Sequence, residues 1–207
     1  MNNYYQEYIK IVTNVGGNLD NMKRLEREIE GNLLEAKLEY IKLSLATEIR
    51  PFKKYEVVDQ FNKQFDKILA RYKFLVIEGE SRTGKTYFTK WMCGNPEKVY
   101  EVNCASCPEP EMRDFKSMWH QIVLFDEAAP EMVIKQKKLF QAPPCFVELG
   151  CSTTNCHSYK VLVSGTKLVI CSNGWTEQVS KMKLDADKSW LHHNSFVLKV
   201  GSTPMFD

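Results

Sequence analysis

One stretch of eight residues constrains this chain more than any other: Gly79-Glu80-Ser81-Arg82-Thr83-Gly84-Lys85-Thr86. It fits G-x-x-x-x-G-K-[ST]. It follows the apolar run Phe74–Ile77 and precedes Tyr87, Phe88, Trp91 and Met92 at helical spacing, the strand–loop–helix setting this pattern requires. Glycines let backbone N–H groups curl around phosphate oxygens, and the following helix adds the positive end of its dipole. Gly79, Ser81, Arg82, Thr83, Gly84, Lys85 and Thr86 are therefore the expected nucleotide-binding residues. Lys85 is expected to reach the β- and γ-phosphates, and Thr86 to ligate magnesium. The implied cofactors are ATP and Mg2+, with GTP left open.

Two more apolar runs end in polar residues. Ile122–Phe125 leads into Asp126-Glu127, which fits a buried strand delivering carboxylates at its C-terminal tip. Asp126 would hold magnesium through water and Glu127 would polarise the attacking water. An apolar run before an acidic pair is common in ordinary core strands; its place after a phosphate loop is what gives this one weight. Leu168–Cys171 leads into Ser172-Asn173, an amide able to sit beside the γ-phosphate, or equally a core strand followed by an Asn-Gly turn.

These runs belong to a wider alternation. From residue 73, short apolar segments (Lys73–Ile77, Val99–Val102, Ile122–Phe125, Cys145–Leu149, Tyr159–Val163, Leu168–Cys171) alternate with helical patterns, which predicts an α/β fold with a mainly parallel sheet. The first part differs. Met22, Leu25, Ile29, Leu33, Leu34, Leu38, Ile41 and Leu45 lie on one face of a long helix that Asn18 can cap and Arg50-Pro51 ends. A second helix should carry Val57, Val58, Phe61, Phe65, Ile68 and Leu69 on one side. The expected domains are a helical bundle at 1–70 and a nucleotide-binding domain at 71–207. Such faces must be buried against each other, the next domain or other subunits.

Glycine-rich loop, Asp-Glu and Ser-Asn, each closing a strand and in that order, resemble a superfamily 3 helicase. The likeness is to the helicase domain of the replication initiator (Rep) proteins of circular single-stranded DNA viruses and related plasmids, over roughly residues 73–200. The resemblance implies an AAA+-like P-loop fold, a ring that is usually hexameric, nucleotide held between subunits, directional translocation on DNA, and a helical oligomerisation collar before the ATPase core. Lys85, Asp126, Glu127 and Asn173 become the catalytic set. The resemblance also implies a DNA-contacting β-hairpin, here Cys145–Leu149 and Tyr159–Val163, with His157 and Lys160 as candidate phosphate contacts. His157 reads equally as a surface-loop histidine. RNA remains open as the substrate through the picornavirus-type helicases of the same superfamily.

The chain departs from that pattern twice. No histidine precedes His120 and no His-hydrophobe-His precedes the loop, so the endonuclease chemistry of Rep proteins does not carry over. No arginine follows Arg113, so the arginine finger has no obvious residue; Trp190–Asn194, Lys181 and Lys183 occupy its region, and Arg113 and Arg82 are the other candidates. This favours a second reading, an NTP-dependent nucleic-acid-binding assembly protein without processive unwinding.

The remaining signals are general. A net charge of +2 does not by itself argue for nucleic acid, the apolar runs fall far short of a membrane span, and the N-terminus lacks signal-peptide character. An intracellular location, in host nucleus or cytoplasm, is expected. Seven cysteines are an odd number for a disulfide scaffold. Cys104, Cys107, Cys151 and Cys156 with His157 are open to a zinc reading or to plain reduced thiols. Lys135, Lys137 and Lys138 read as a solvated helix face, and the tryptophans as core or interface.

Overall fold

The computed structural model describes residues 51–105, 109–150 and 158–206, with the helical residues Arg27, Gly31, Asn32 and Leu34 before them. The rest of the expected N-terminal helices, the hairpin tip with His157, and Cys107, Cys151 and Cys156 lie outside the described residues. Contacts divide the chain into two units, Met1–Arg50 and Pro51–Asp207.

The second unit is built on five parallel strands: β1 (Phe74–Gly79), β2 (Val99–Asn103), β3 (Ile122–Asp126), β6 (Lys167–Ser172) and β7 (Ser195–Gly201), in spatial order β2-β3-β6-β1-β7. A short antiparallel pair, β4 (Val147–Leu149) and β5 (Tyr159–Val161), stands apart. In the central strands nearly every side chain is buried, because helices cover both sheet faces. Alternation sorts them. Phe74, Val76, Val123, Phe125, Leu168 and Ile170 join one core with residues of α3 (Pro130–Lys135), α4 (Lys137–Phe140), α5 (Trp175–Lys181) and α6 (Asp185–Asn194). Leu75, Ile77, Ile122, Leu124, Val169 and Cys171 join the other with α1 (Glu56–Lys63) and α2 (Lys85–Cys93). This is the expected α/β, AAA+-like P-loop architecture. Among the described residues no helix is long and apolar enough to cross a membrane.

Several local expectations change. Helix α1 stops at Lys63 and a 3-10 turn, Gln64–Asp66, follows; Phe65 and Leu69 stay packed, but Ile68 is 94% exposed. The turn is pinned to the start of β1. Gln64 bonds both backbone groups of Lys73 at 2.8 Å, and the Tyr72 hydroxyl accepts from the Leu69 N–H and donates to the Lys67 carbonyl. Those bonds outweigh the helical propensity of the sequence. The lysine run spans two short helices, and Lys137 is no free solvated charge: its Nζ bonds Asp187 at 2.8 Å and lies over the Trp190 ring. Trp175 is buried and Trp190 is packed against that core, while Trp91 and Trp119 are exposed. Strand β7 escapes sequence reading, because α6 runs into it at Ser195 with no glycine or proline between them.

Candidate functional site

All five strands run in the same direction, so the C-terminal ends of β1, β3 and β6 open on one edge of the sheet. The phosphate loop leaves β1 there. Gly84 takes a left-handed conformation (φ 93°) and caps α2, which leaves the first N–H groups of that helix without intrahelical acceptors. Thr83 is buried and its hydroxyl donates to the Glu80 carbonyl at 2.9 Å, folding the loop onto itself. Ser81 and Arg82 are exposed at its crest, Arg82 also left-handed at φ 67°.

The C-terminal segment flanks this loop, which no sequence signal announces. Glu80 N–H donates to the Gly201 carbonyl and Met205 N–H to the Thr83 carbonyl. A Cβ on Gly79 would stand 2.3 Å from Val200 Cγ2, so only glycine admits the strand this close.

Lys85 is the centre of the site. It is 7% exposed, and its Nζ donates to the carbonyls of Gly79 (2.8 Å) and Glu80 (2.9 Å) and to Asn173 Oδ1 (2.9 Å). The ammonium is thereby fixed against the loop in one position. Asn173 follows β6, which lies between β1 and β3, so its amide reaches both sides; Nδ2 donates to Ser81 Oγ at 3.4 Å. Glu78, one residue before the loop, accepts from the Thr176 N–H (2.8 Å) and hydroxyl, holding the first turn of α5 next to Asn173.

On the far side, Asp126 ends β3 in register with Asn103 and Cys171. Glu127 N–H donates to the Cys171 carbonyl, and the left-handed backbone at Glu127 (φ 57°) turns the chain off the strand. Burial holds the Asp126 carboxyl above its usual range, opposed by Lys85. Glu127 is raised too, first by burial and then by the Asp126 charge, while Lys85 and hydrogen bonds from Asn173 draw it back. The half-buried Asp126 and the exposed Glu127, with a hydroxyl on Thr86 in the first turn of α2, make a hard-oxygen donor set suited to a divalent cation. Cys171 sits beneath, its thiol pushed up to about 12 by burial and within 3.7 Å of Thr89 Oγ1, an inert core position.

The structure thus gathers Gly79, Ser81, Thr83, Gly84, Lys85, Asp126, Glu127 and Asn173 at one edge, with Thr86 on the adjoining turn. Lys160 is not among them. It is exposed on β5, and the hairpin register places it opposite Glu148. Arg113 lies over the Tyr159 ring at 4.5 Å and pairs with Glu111. Among the described residues no cluster of three or more His, Cys, Asp or Glu side chains is arranged to hold a metal. A cleft lined by Tyr100, Asp114, Lys116, Trp119 and His120 contains no residue of the loop or of the strand ends.

No family model matches the chain, and no curated protein matches it. Among solved structures, NtrX from Brucella abortus in complex with ADP is similar at TM-score 0.43 and 14% identity, over 89% of this chain and 46% of that one. The Hsp104–ADP complex of S. cerevisiae gives TM-score 0.41 and 13% identity, over 72% and 32%. The apo C-terminal region of NrS-1 gives 0.33 and 15%, over 70% and 45%. The chain spans less than half the length of each of these structures. Its own strand order and loop geometry make it an α/β protein of the AAA+-like P-loop class.

Proposed function

We propose that this protein binds and hydrolyses a magnesium–nucleoside triphosphate and uses that cycle as a superfamily 3-type motor on DNA. The observation that carries the reading is the anchoring of the Lys85 ammonium to Gly79, Glu80 and Asn173, on the same sheet edge as Asp126 and Glu127. Backbone amides of Gly79–Thr86 cradle phosphate oxygens, and Lys85, whose three N–H donors are held by Gly79, Glu80 and Asn173, exchanges some of those bonds for the β- and γ-phosphate oxygens. Glu127 takes the proton of the attacking water, and Asn173 orients that water beside the γ-phosphate. Thr86 and Asp126 would hold magnesium, which when bound would offset the charge of the phosphate oxygens.

The N-terminal helices assemble a homo-oligomeric ring, in this reading a hexamer, with single-stranded DNA engaged by the hairpin through Lys160 and His157. The lack of any arginine after Arg113 favours the second reading, an NTP-dependent assembly protein on nucleic acid without processive unwinding. Strand displacement on DNA and RNA duplexes, with Lys85→Ala beside the wild type, tests both. Displacement of DNA that disappears in Lys85→Ala supports the motor. ATP-dependent oligomers without displacement select the second reading, and displacement of RNA alone selects the RNA helicase. Phosphate release should fall at least ~100-fold in Lys85→Ala.

A further inference from the structure

The phosphate loop accounts for the polar end of a nucleotide, while a cluster of rings beside it has no part in the chemistry above. Gly84, Tyr87, Phe88 and Trp91 fall on one face of α2, at helical spacings of three, four and seven. Phe52 lies across that face, its ring 5.5 Å from Phe88 and 5.4 Å from Trp91, and Phe206 meets Phe52 edge-on at 6.2 Å. Both rings border the loop: a Cβ on Gly84 would find Phe206 at 3.1 Å and Phe52 at 3.8 Å. The core takes only part of this cluster: Phe88 is buried in it and Phe52 packs against it. Tyr87 is 56% exposed and Trp91 47%, an aromatic pair one helical turn apart.

We infer that these rings seat the nucleobase, a planar aromatic heterocycle stacking on Phe52, Tyr87 and Trp91 with Phe206 closing the loop side. The inference rests on the nucleotide reading of the loop. Its occupant follows from covalent reach: phosphates held at the first turn of α2 place the nucleoside beside the same helix, and Trp91 lies only about 10 Å from Gly84 along its axis. Stacking reads the face of a base and tolerates any edge. Phe52 and Phe206 carry no hydrogen-bonding group in their side chains, Tyr87 one hydroxyl and Trp91 one N–H. The site therefore accepts ATP and GTP alike, within about threefold of each other.

Calorimetric titration of the full chain with ATP, GTP and inorganic tripolyphosphate, alongside Tyr87→Ala, Trp91→Ala and Trp91→Phe, tests this. The expected result is ATP binding at least tenfold tighter than tripolyphosphate, with a loss of about tenfold for ATP in each alanine variant. Tripolyphosphate affinity should stay unchanged, and Trp91→Phe should retain most ATP affinity. Tripolyphosphate binding as tightly as ATP, or equal losses for both ligands, overturns the ring platform and leaves the loop intact. Weakened self-association with unchanged ATP affinity overturns it in favour of a subunit contact. Failure of the wild type to bind either ligand removes the nucleotide reading itself.

Discussion

Asn173 is the residue on which the proposed chemistry turns, since it bonds Lys85 and also acts on Glu127. A general base must be ionised, so activity is present above the Glu127 pKa and is lost as pH falls through it. Asn173 pulls that pKa down against burial and the Asp126 charge. In Asn173→Ala the pull is gone, so the acid limb of the rate profile should move to higher pH while turnover drops ~100-fold. A limb that stays put or moves down refutes the link. Asp126 offers the complementary case. Its carboxyl is raised in the fold, so the unfolded chain gives up that proton first and ionisation costs stability as pH rises through the usual carboxylate range toward the raised value. Asp126→Asn should therefore raise the melting temperature near pH 7 by ~2–4 °C, shrinking at acid pH, while abolishing magnesium-dependent hydrolysis. Retained hydrolysis would refute its assigned role.

Among the elements, β1 and β7 show how closely the loop is tied to its scaffold. Their register shifts between Glu78 and Gly79, where Gly79 comes to face Gly201. A methyl group at Gly79 would meet Val200 at 2.3 Å and the Gly201 carbonyl at 2.8 Å, and backbone cannot step aside cheaply. Gly79→Ala should cost ~1–3 kcal/mol in a urea titration. Elements with strong local signals were legible in the chain: β1, β3 and β6 are continuous apolar runs, and α2 follows its loop. The apolar spacing of helix α1 runs on to Ile68 and Leu69, while side-chain bonds from Gln64 and Tyr72 to backbone five to nine residues away end the helix earlier. Such bonds leave no trace in periodicity. β7 and its extension to Phe206 carry no motif, yet they flank the loop.

At the level of the whole molecule, the division after Arg50 separates the N-terminal residues from the unit that contains the sheet and every candidate catalytic residue. Phe52 and Lys53 belong to that unit: Lys53 N–H donates to the Met205 carbonyl, and Phe52 pairs with Phe206. Deleting residues 1–50 should leave nucleotide affinity within about threefold of the full chain and weaken assembly. An unchanged sedimentation profile would count against the N-terminal helices as the collar.

The sequence alone determined the class of fold and the identity of the phosphate loop, because a strand, a glycine turn and a helix start are local features written within about twenty residues. It also marked Asp126, Glu127 and Asn173 as strand ends, though each had an ordinary reading as core. Only the tertiary structure decided that they meet. β6 comes after β3 in the chain yet inserts between β3 and β1, so a residue read as the end of one more core strand stands between Lys85 and Glu127. Strand order is set by which faces the covering helices bury together. That is a long-range property, and no single segment encodes it.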